Sequence, residues 1–160
     1  MRLFTIGGYG FSKDAFLAAL KHAGVDTLVD IRQRRGMRGA TYSFLNRRQL
    51  EESLVASGVR YVHATALAPT TEIRDAQKAR DAALGQAKRD RIRLAPDFVT
   101  AYEQQVLARY TKEAFLESVG GGAVAVALFC VEGAPEACHR SLAAAHLSKL
   151  LATPVEHLRP

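Results

Sequence analysis

The chain has 160 residues, 48% of them hydrophobic and 24% charged, with a formal net charge of +6. A chain of this length buries about 70% of its unfolded surface as one domain, and its ordinary composition excludes disordered, collagen-like and coiled-coil classes. No run approaches the roughly 20 apolar residues of a membrane span, and the amino terminus MRLFTIGGYG lacks the apolar core of a signal peptide, so a cytoplasmic protein without a membrane partner is expected.

Residues 2–6 (RLFTI) form an apolar run stopped by Gly7 and Gly8, the pattern of a buried strand ending in a tight turn. Ser12 is suited to cap a helix carrying Phe16, Leu17 and Leu20 and ending at Gly24, and Thr27 to Ile31 reads as a second strand. Asn46 can cap a helix with Leu50, Leu54 and Val55 that stops near Gly58 and leads into a third strand, Val59 to His63. Residues 72–118 are helical in character and broken near Ala95 and Pro96. Phe98, Tyr102 and Val106 give the second half an apolar stripe, whereas the inner face of the first half is alanine and polar groups, which suits a weakly packed arm. Residues 123–131 (AVAVALFCV) make the strongest strand, Pro135 opens a helix carrying Leu142, Leu147, Leu150 and Leu151, and residues 154–158 supply a last strand. Continuous apolar strands are covered on both faces. The expectation is therefore a single α/β domain over residues 1–160, with three layers, a largely parallel sheet of about five strands and helices on both faces.

Ligands of open parallel sheets bind beyond the carboxyl ends of the strands, and the unusual residues fall there. Gly7, Gly8 and Tyr9 follow the first strand, Asp30 and Arg32 end the second, His63 ends the third, and Cys130 and Glu132 end the fourth. The segment LFCVEGAPEACHR (128–140) carries the most chemistry. With a helix starting at Pro135, Cys138 lies at the end of its first turn, where the dipole and Arg140 favour a thiolate. Cys138 or Cys130 can then act as nucleophile, His139 as general base or acid, and Arg140 as a planar fork for phosphate or carboxylate. The loop VDIRQRRGMRG gathers Arg32, Arg34, Arg35 and Arg38, whose mutual repulsion an anion would relieve; Arg32 and Arg38 are expected to face the cleft and Arg34 and Arg35 the solvent. Architectural readings compete with each of these. Cys130 suits a packed core, Arg140 suits a loop anchor through Glu132 or Asp30, and His63 suits a half-buried strand end.

Two cysteines with seven residues between them do not make a secreted disulfide framework and read as thiols. CxxC spacing is absent and only His139 adjoins a cysteine, so neither a metal nor another cofactor is expected. Residues 74–94 hold seven Lys or Arg against three Asp. That excess attracts an anionic small molecule or nucleic acid, or is simply a solvated helix face.

The blocks TIGGYG (5–10), LVDIR (28–32) with Arg38 following, GVRYVH (58–63) and FCVEGAPEACHR (129–140) resemble, in order, the domain of unknown function 488 family of small prokaryotic cytoplasmic proteins. The resemblance implies a layered α/β fold and a shared polar set of Arg32, Arg38, Cys130, Glu132, Cys138, His139 and Arg140, and it supplies no activity. The chain departs from the family pattern at Arg35 and Met37, where relatives carry a proline and a serine, and at Leu67, Ala68 and Pro69, where they carry a leucine-glycine turn.

Three functions follow. The first is an enzyme acting on a phosphorylated or nucleic-acid-derived substrate, with Cys138, Cys130, His139 and Glu132 catalytic, Arg32, Arg38, Arg140, Gly7, Gly8 and Tyr9 binding the anion, and Asp30 and His63 lining the site. A cysteine-phosphatase loop is disfavoured, because the sixth residue after Cys130 is Glu136 where such loops need arginine. The second is a non-catalytic nucleic-acid-binding module using residues 74–94 and the arginine loop. The third is a redox sensor built on Cys130 and Cys138, which requires their Cα atoms within about 7 Å. The sequence leaves the oligomeric state open.

Overall fold

The apolar runs become five strands: β1 (Arg2–Ile6), β2 (Thr27–Asp30), β3 (Arg60–His63), β4 (Ala125–Phe129) and β5 (Val155–Leu158). In the computed structural model, which describes residues 1–160, they pair in parallel in the order β3-β2-β4-β1-β5. Every residue of β4 is buried, as its unbroken apolar sequence demands of the strand at the centre of a doubly covered sheet. The register aligns His63 with Asp30, Asp30 with Phe129, Phe129 with Ile6 and Ile6 with Leu158, so all five strands end in one row. Gly7, Ile31 and Cys130 stand immediately beyond that row, on three neighbouring strands.

Six helices connect the strands: α1 (Lys13–His22), α2 (Arg47–Ala56), α3 (Thr71–Ala83), α4 (Pro96–Gln105), α5 (Lys112–Val119) and α6 (His139–Leu151). The steps from β1 to β2 and from β2 to β3 run toward one edge of the sheet, and those from β3 to β4 and from β4 to β5 run toward the other. Right-handed crossovers therefore put α1 and α2 on one face and α3 to α6 on the opposite face. The packing agrees: α6 lies on β1, β4 and β5 and meets α4 and α5, while α2 lies on β3. The chain leaves β2 and β4 toward opposite faces, which opens a crevice between their carboxyl ends.

Local signals account for the helix boundaries. Ser12, Thr70 and Thr111 each accept a hydrogen bond from a backbone N–H three residues on, closing the first turns of α1, α3 and α5. Gly24 takes a φ of +64° just after α1, a conformation costly for other residues. Asn46 stands at the cap of α2 as expected but makes no capping bond; its Oδ1 accepts the N–H of Met37 and ties down the arginine loop.

Two expectations are corrected. Pro135 opens a single 3-10 turn, Pro135–Ala137, and α6 starts at His139, so Cys138 occupies the cap position and not the end of a first turn. The arm of residues 71–94 is docked despite its polar inner face. Ile73, Gln77 and Asp81, one helical turn apart on α3, are all buried, and their polar atoms find partners: Gln77 donates to Asp81 (2.7 Å) and accepts from the Ala95 N–H (2.9 Å), while Asp81 accepts from Arg91 (2.8 Å). A polar face can be buried when its donors and acceptors find partners.

Candidate active site

Strand β4 delivers Cys130 and Glu132, and the loop that follows returns Cys138 and His139 to the same point at the start of α6. All four are buried. Both thiols donate to one carboxylate oxygen, Glu132 Oε2, each at 3.1 Å. His139 presents Nδ1 to the sulfurs, 3.9 Å from Cys130 and 4.0 Å from Cys138. Its Nε2 lies 3.1 Å from the Ile31 carbonyl, an acceptor only, so the neutral ring carries its proton on Nε2 and turns its Nδ1 lone pair toward the sulfurs, whose own protons point to Glu132. The ring of Tyr102 stands edge-on to this imidazole at 5.5 Å, and the Tyr102 hydroxyl is itself anchored on the Leu67 carbonyl at 2.6 Å.

Charges around the cluster decide its ionisation. Burial opposes a charge on Glu132, yet Lys88, His139 and the two thiol donors outweigh it and hold the carboxyl well below the usual carboxylate range. Glu132 Oε1 takes Arg91 and Lys88, both at 3.1 Å. The two thiols titrate as a pair. Burial opposes the first ionisation, at Cys130, but the Cys138 thiol and the imidazole beside it bring that step below the usual thiol range. Burial, with the charges on Cys130 and Glu132, pushes Cys138 well above it, against the weaker pull of Arg140. Burial also opposes a charge on His139, and the adjacent Cys130 and Glu132 overcome it and raise the imidazole's pKa.

Around this cluster the arginines fall into two kinds. Arg32 is almost fully committed: its Nε and one terminal nitrogen grip Asp30 at 2.9 and 2.7 Å, the other donates to the Leu45 carbonyl at 3.0 Å, and its carbon lies 4.6 Å from the Phe129 ring centroid. Asp30 also accepts the Tyr61 hydroxyl at 2.7 Å, and His63 Nε2 donates to the Arg32 carbonyl at 2.9 Å, so Asp30 and His63 hold the arginine in place from behind. Arg140, 1% exposed, donates to the carbonyls of Glu132 and Gly133 and so braces the loop that carries Glu132, through main-chain oxygens and not through a carboxylate. Gly8 and Tyr9 both donate their N–H groups to the Val131 carbonyl, at 3.0 and 2.8 Å, and a Cβ on Gly7 would overlap the Glu132 carbonyl. These residues fit the first and fourth strand ends together closely.

A cavity of about 590 Å³ opens over the cluster. Cys130, Glu132 and His139 form its floor, with Arg32 and Tyr9 beside them, and Arg38 stands on its wall. Cys138 lies behind the floor, and Gly7, Gly8, Asp30, His63 and Arg140 do not reach the cavity. Arg34 is exposed to solvent as expected but also lines the cavity together with Arg38, whereas Arg35, expected in solvent, is half-buried and turns aside to Glu51 and the Tyr61 hydroxyl, each at 3.4 Å. The basic arm supplies the far wall, so eight cationic side chains face three carboxylates around this cavity. Arg32, Lys88 and Arg91 are neutralised by Asp30, Glu132 and Asp81, whereas Arg34, Arg38 and Lys78 make no ion pair.

Sequence reasoning missed Arg91, Asp81, Gln77, Tyr61 and Lys88. The spacing of Gln77 and Asp81, one turn apart beside Ile73, is a signal for a buried polar stripe; nothing in the sequence pairs either residue with Arg91. Tyr42 lines the cavity with its ring edge-on to Tyr9 at 5.0 Å, while Phe44 packs on Phe16 at 6.0 Å in the core.

Residues 12–147 match a family described as a domain of unknown function, DUF488. The chain belongs to the DUF488 family. The match covers all the strands and helices except β1 and β5 and the last residues of α6, and it includes the whole Cys130 to Arg140 segment, the part of this DUF488 protein in which thiols, carboxylate and imidazole meet. No curated protein and no solved structure matches the chain.

Proposed function

We propose that the cavity is the active site of an enzyme acting on a phosphorylated or nucleic-acid-derived anion, with Cys130 as the nucleophile. The observation that carries this reading is a thiol, an imidazole and a carboxylate on the floor of a cavity whose wall bears the unpaired cations Arg34, Arg38 and Lys78. Glu132 orients the Cys130 thiol, and His139 Nδ1 takes its proton as the sulfur attacks the electrophilic carbon or phosphorus of the substrate. The protonated imidazole returns that proton to the leaving group. Arg34, Arg38 and Lys78 hold the substrate's anionic group, and Asp30, Arg32, Arg140 and the Gly7 turn keep the floor in shape. A binding module alone would need cations but no thiols beneath them, which disfavours the purely nucleic-acid-binding reading.

The test compares alkylation of Cys130 by iodoacetate, an anion, with that by its neutral counterpart iodoacetamide, in reduced, chelator-treated protein. Electrostatic focusing by the rim should raise the iodoacetate-to-iodoacetamide rate ratio at least about tenfold over that of glutathione. A ratio equal to that of glutathione, or a thiol inert to both reagents, refutes the proposal.

A further inference from the structure

The same four side chains have a second use that does not need a substrate. Cys130 Sγ, Cys138 Sγ and His139 Nδ1 lie within 4.8 Å of one another, and Glu132 Oε2 is 3.1 Å from each sulfur. A tetrahedral zinc ion with bonds of about 2.3 Å to sulfur and about 2.0 Å to nitrogen or oxygen sets its sulfur-to-nitrogen and sulfur-to-oxygen edges at about 3.5 Å. The sulfur-to-nitrogen edges of 3.9 and 4.0 Å and the sulfur-to-oxygen edges of 3.1 Å each lie within about half an ångström of that value; Cys130, Cys138 and His139 form the compact set, and Glu132 reaches it from the sulfur side.

Two features beyond the ligand atoms match what such an ion requires. The His139 Nε2–H donates to the Ile31 carbonyl, which leaves Nδ1 free and aimed at the sulfurs, the arrangement that outer-shell partners impose on metal-binding histidines. Glu132 has its Oε1 fixed by Arg91 and Lys88, and its Oε2, which holds the two thiol protons, is released as a ligand when those protons leave. These two cations also neutralise the excess negative charge of two thiolates and a carboxylate around a dication. Two sulfurs with one imidazole and one carboxylate select a borderline-soft ion such as zinc over magnesium or calcium.

We propose that Cys130, Cys138, His139 and Glu132 bind one zinc-class divalent ion, and that the ion masks the Cys130 nucleophile. Binding forms two metal–sulfur bonds, one metal–nitrogen bond and one metal–oxygen bond, and the two thiol protons leave to solvent. The binding site stands on its own geometry; only the masking of catalysis rests on the function proposed above. Linear spacing hides the site, because the pair Cys138-His139 is adjacent in sequence and Cys130 is delivered from the end of a strand.

The experiment titrates cobalt(II), a spectroscopic stand-in for zinc, into the reduced, chelator-treated full chain. The expected result is thiolate-to-cobalt charge transfer and strong tetrahedral visible bands that saturate at one equivalent and disappear when zinc is added. Cys138→Ser should abolish the charge-transfer intensity by half or more; should that variant not fold, Glu132→Gln serves in its place and should weaken cobalt binding at least about tenfold, in line with loss of a ligand or outer-shell group. One equivalent of zinc should also suppress iodoacetamide labelling of Cys130 in the wild-type chain, with recovery on chelation. Cobalt that stays octahedral without a thiolate band overturns the site, whatever the alkylation shows. Tetrahedral cobalt with full labelling of Cys130 overturns the masking. An inert Cys130 in metal-free protein defeats the enzyme reading and leaves the cobalt result to judge the site.

Discussion

Arg91→Met removes the buried one of the two side chains, Arg91 and Lys88, that join the basic arm to the cavity floor. Arg91 is 8% exposed and donates to Asp81 at 2.8 Å, to Glu132 at 3.1 Å and twice to the Ala137 carbonyl at 3.1 and 3.2 Å. Methionine fills a similar volume and leaves two buried carboxylates short of a cation. Removing one partner of a buried ion pair costs about 3–5 kcal/mol. Asp81 keeps the Gln77 amide at 2.7 Å and Glu132 keeps the half-exposed Lys88, which places the expected loss near the lower end, about 3 kcal/mol. For a chain of this size that is about 6–12 °C in Tm, taken from a total stability of about 5–15 kcal/mol. The assay is urea unfolding followed by far-ultraviolet circular dichroism, since the chain has no tryptophan. Arg91→Lys should recover only part of the loss, because an ammonium cannot span Asp81, Glu132 and the Ala137 carbonyl as the guanidinium fork does. Removing both charges with Arg91→Met and Asp81→Leu should cost less than the sum of the two single changes. A loss below about 1 kcal/mol, the worth of an exposed pair, would mean that the arm is not docked on the site.

Gly7→Ala places a methyl group against the Glu132 main-chain carbonyl, which only movement of the 131–133 loop can relieve; a loss of about 1–3 kcal/mol in urea unfolding is expected, together with a changed alkylation rate at Cys130, and an unaltered protein would contradict the close fit of these strand ends. Asp26 accepts the N–H groups of Val124 and Ala125 at 2.8 and 2.7 Å and the Thr27 hydroxyl at 2.7 Å; burial opposes its ionisation, but these donors lower its pKa on folding. A depressed folded-state pKa stabilises above the unfolded value of about 3.9 and loses that contribution as the pH falls through the folded-state value, so the stability gap between wild type and Asp26→Asn should be present near pH 7 and shrink toward about pH 3. A gap independent of pH, or one that widens in acid, would show that the carboxylate charge plays no part there.

The parallel sheet was legible because each strand is a short apolar run bounded by turn residues, and the row of strand ends follows from that placement alone. Cys130, Glu132 and His139 were legible as a group since they lie within ten residues of one another beside a strand end. What escaped was pairing. The loop-anchor reading of Arg140 through Glu132 was legible, although it uses main-chain carbonyls, but the commitment of Arg32 to the Leu45 carbonyl and of Arg91 to two carboxylates depends on backbone paths between distant segments, and an arginine offers no periodicity that reveals its partner. The burial of α3 by a polar stripe was hidden for the same reason. Hydrophobic patterning reports apolar faces, and Gln77 and Asp81 become compatible with the interior only once Arg91 and the Ala95 amide are in place. The position of Cys138 turned on one residue of helix start, since Pro135 opens a 3-10 turn as readily as an α-helix.

The proposed function requires a reactive thiol and an anion-attracting wall in one crevice, and the iodoacetate-to-iodoacetamide rate ratio of Cys130 in an Arg34→Ala, Arg38→Ala double variant tests for both. Both side chains are exposed and make no ion pair, so their removal is expected to leave the fold intact while stripping two charges from the cavity wall. The expected result is a ratio that falls from its raised wild-type value toward that of glutathione, with iodoacetamide reactivity unchanged. A raised ratio that survives the double substitution would contradict the account.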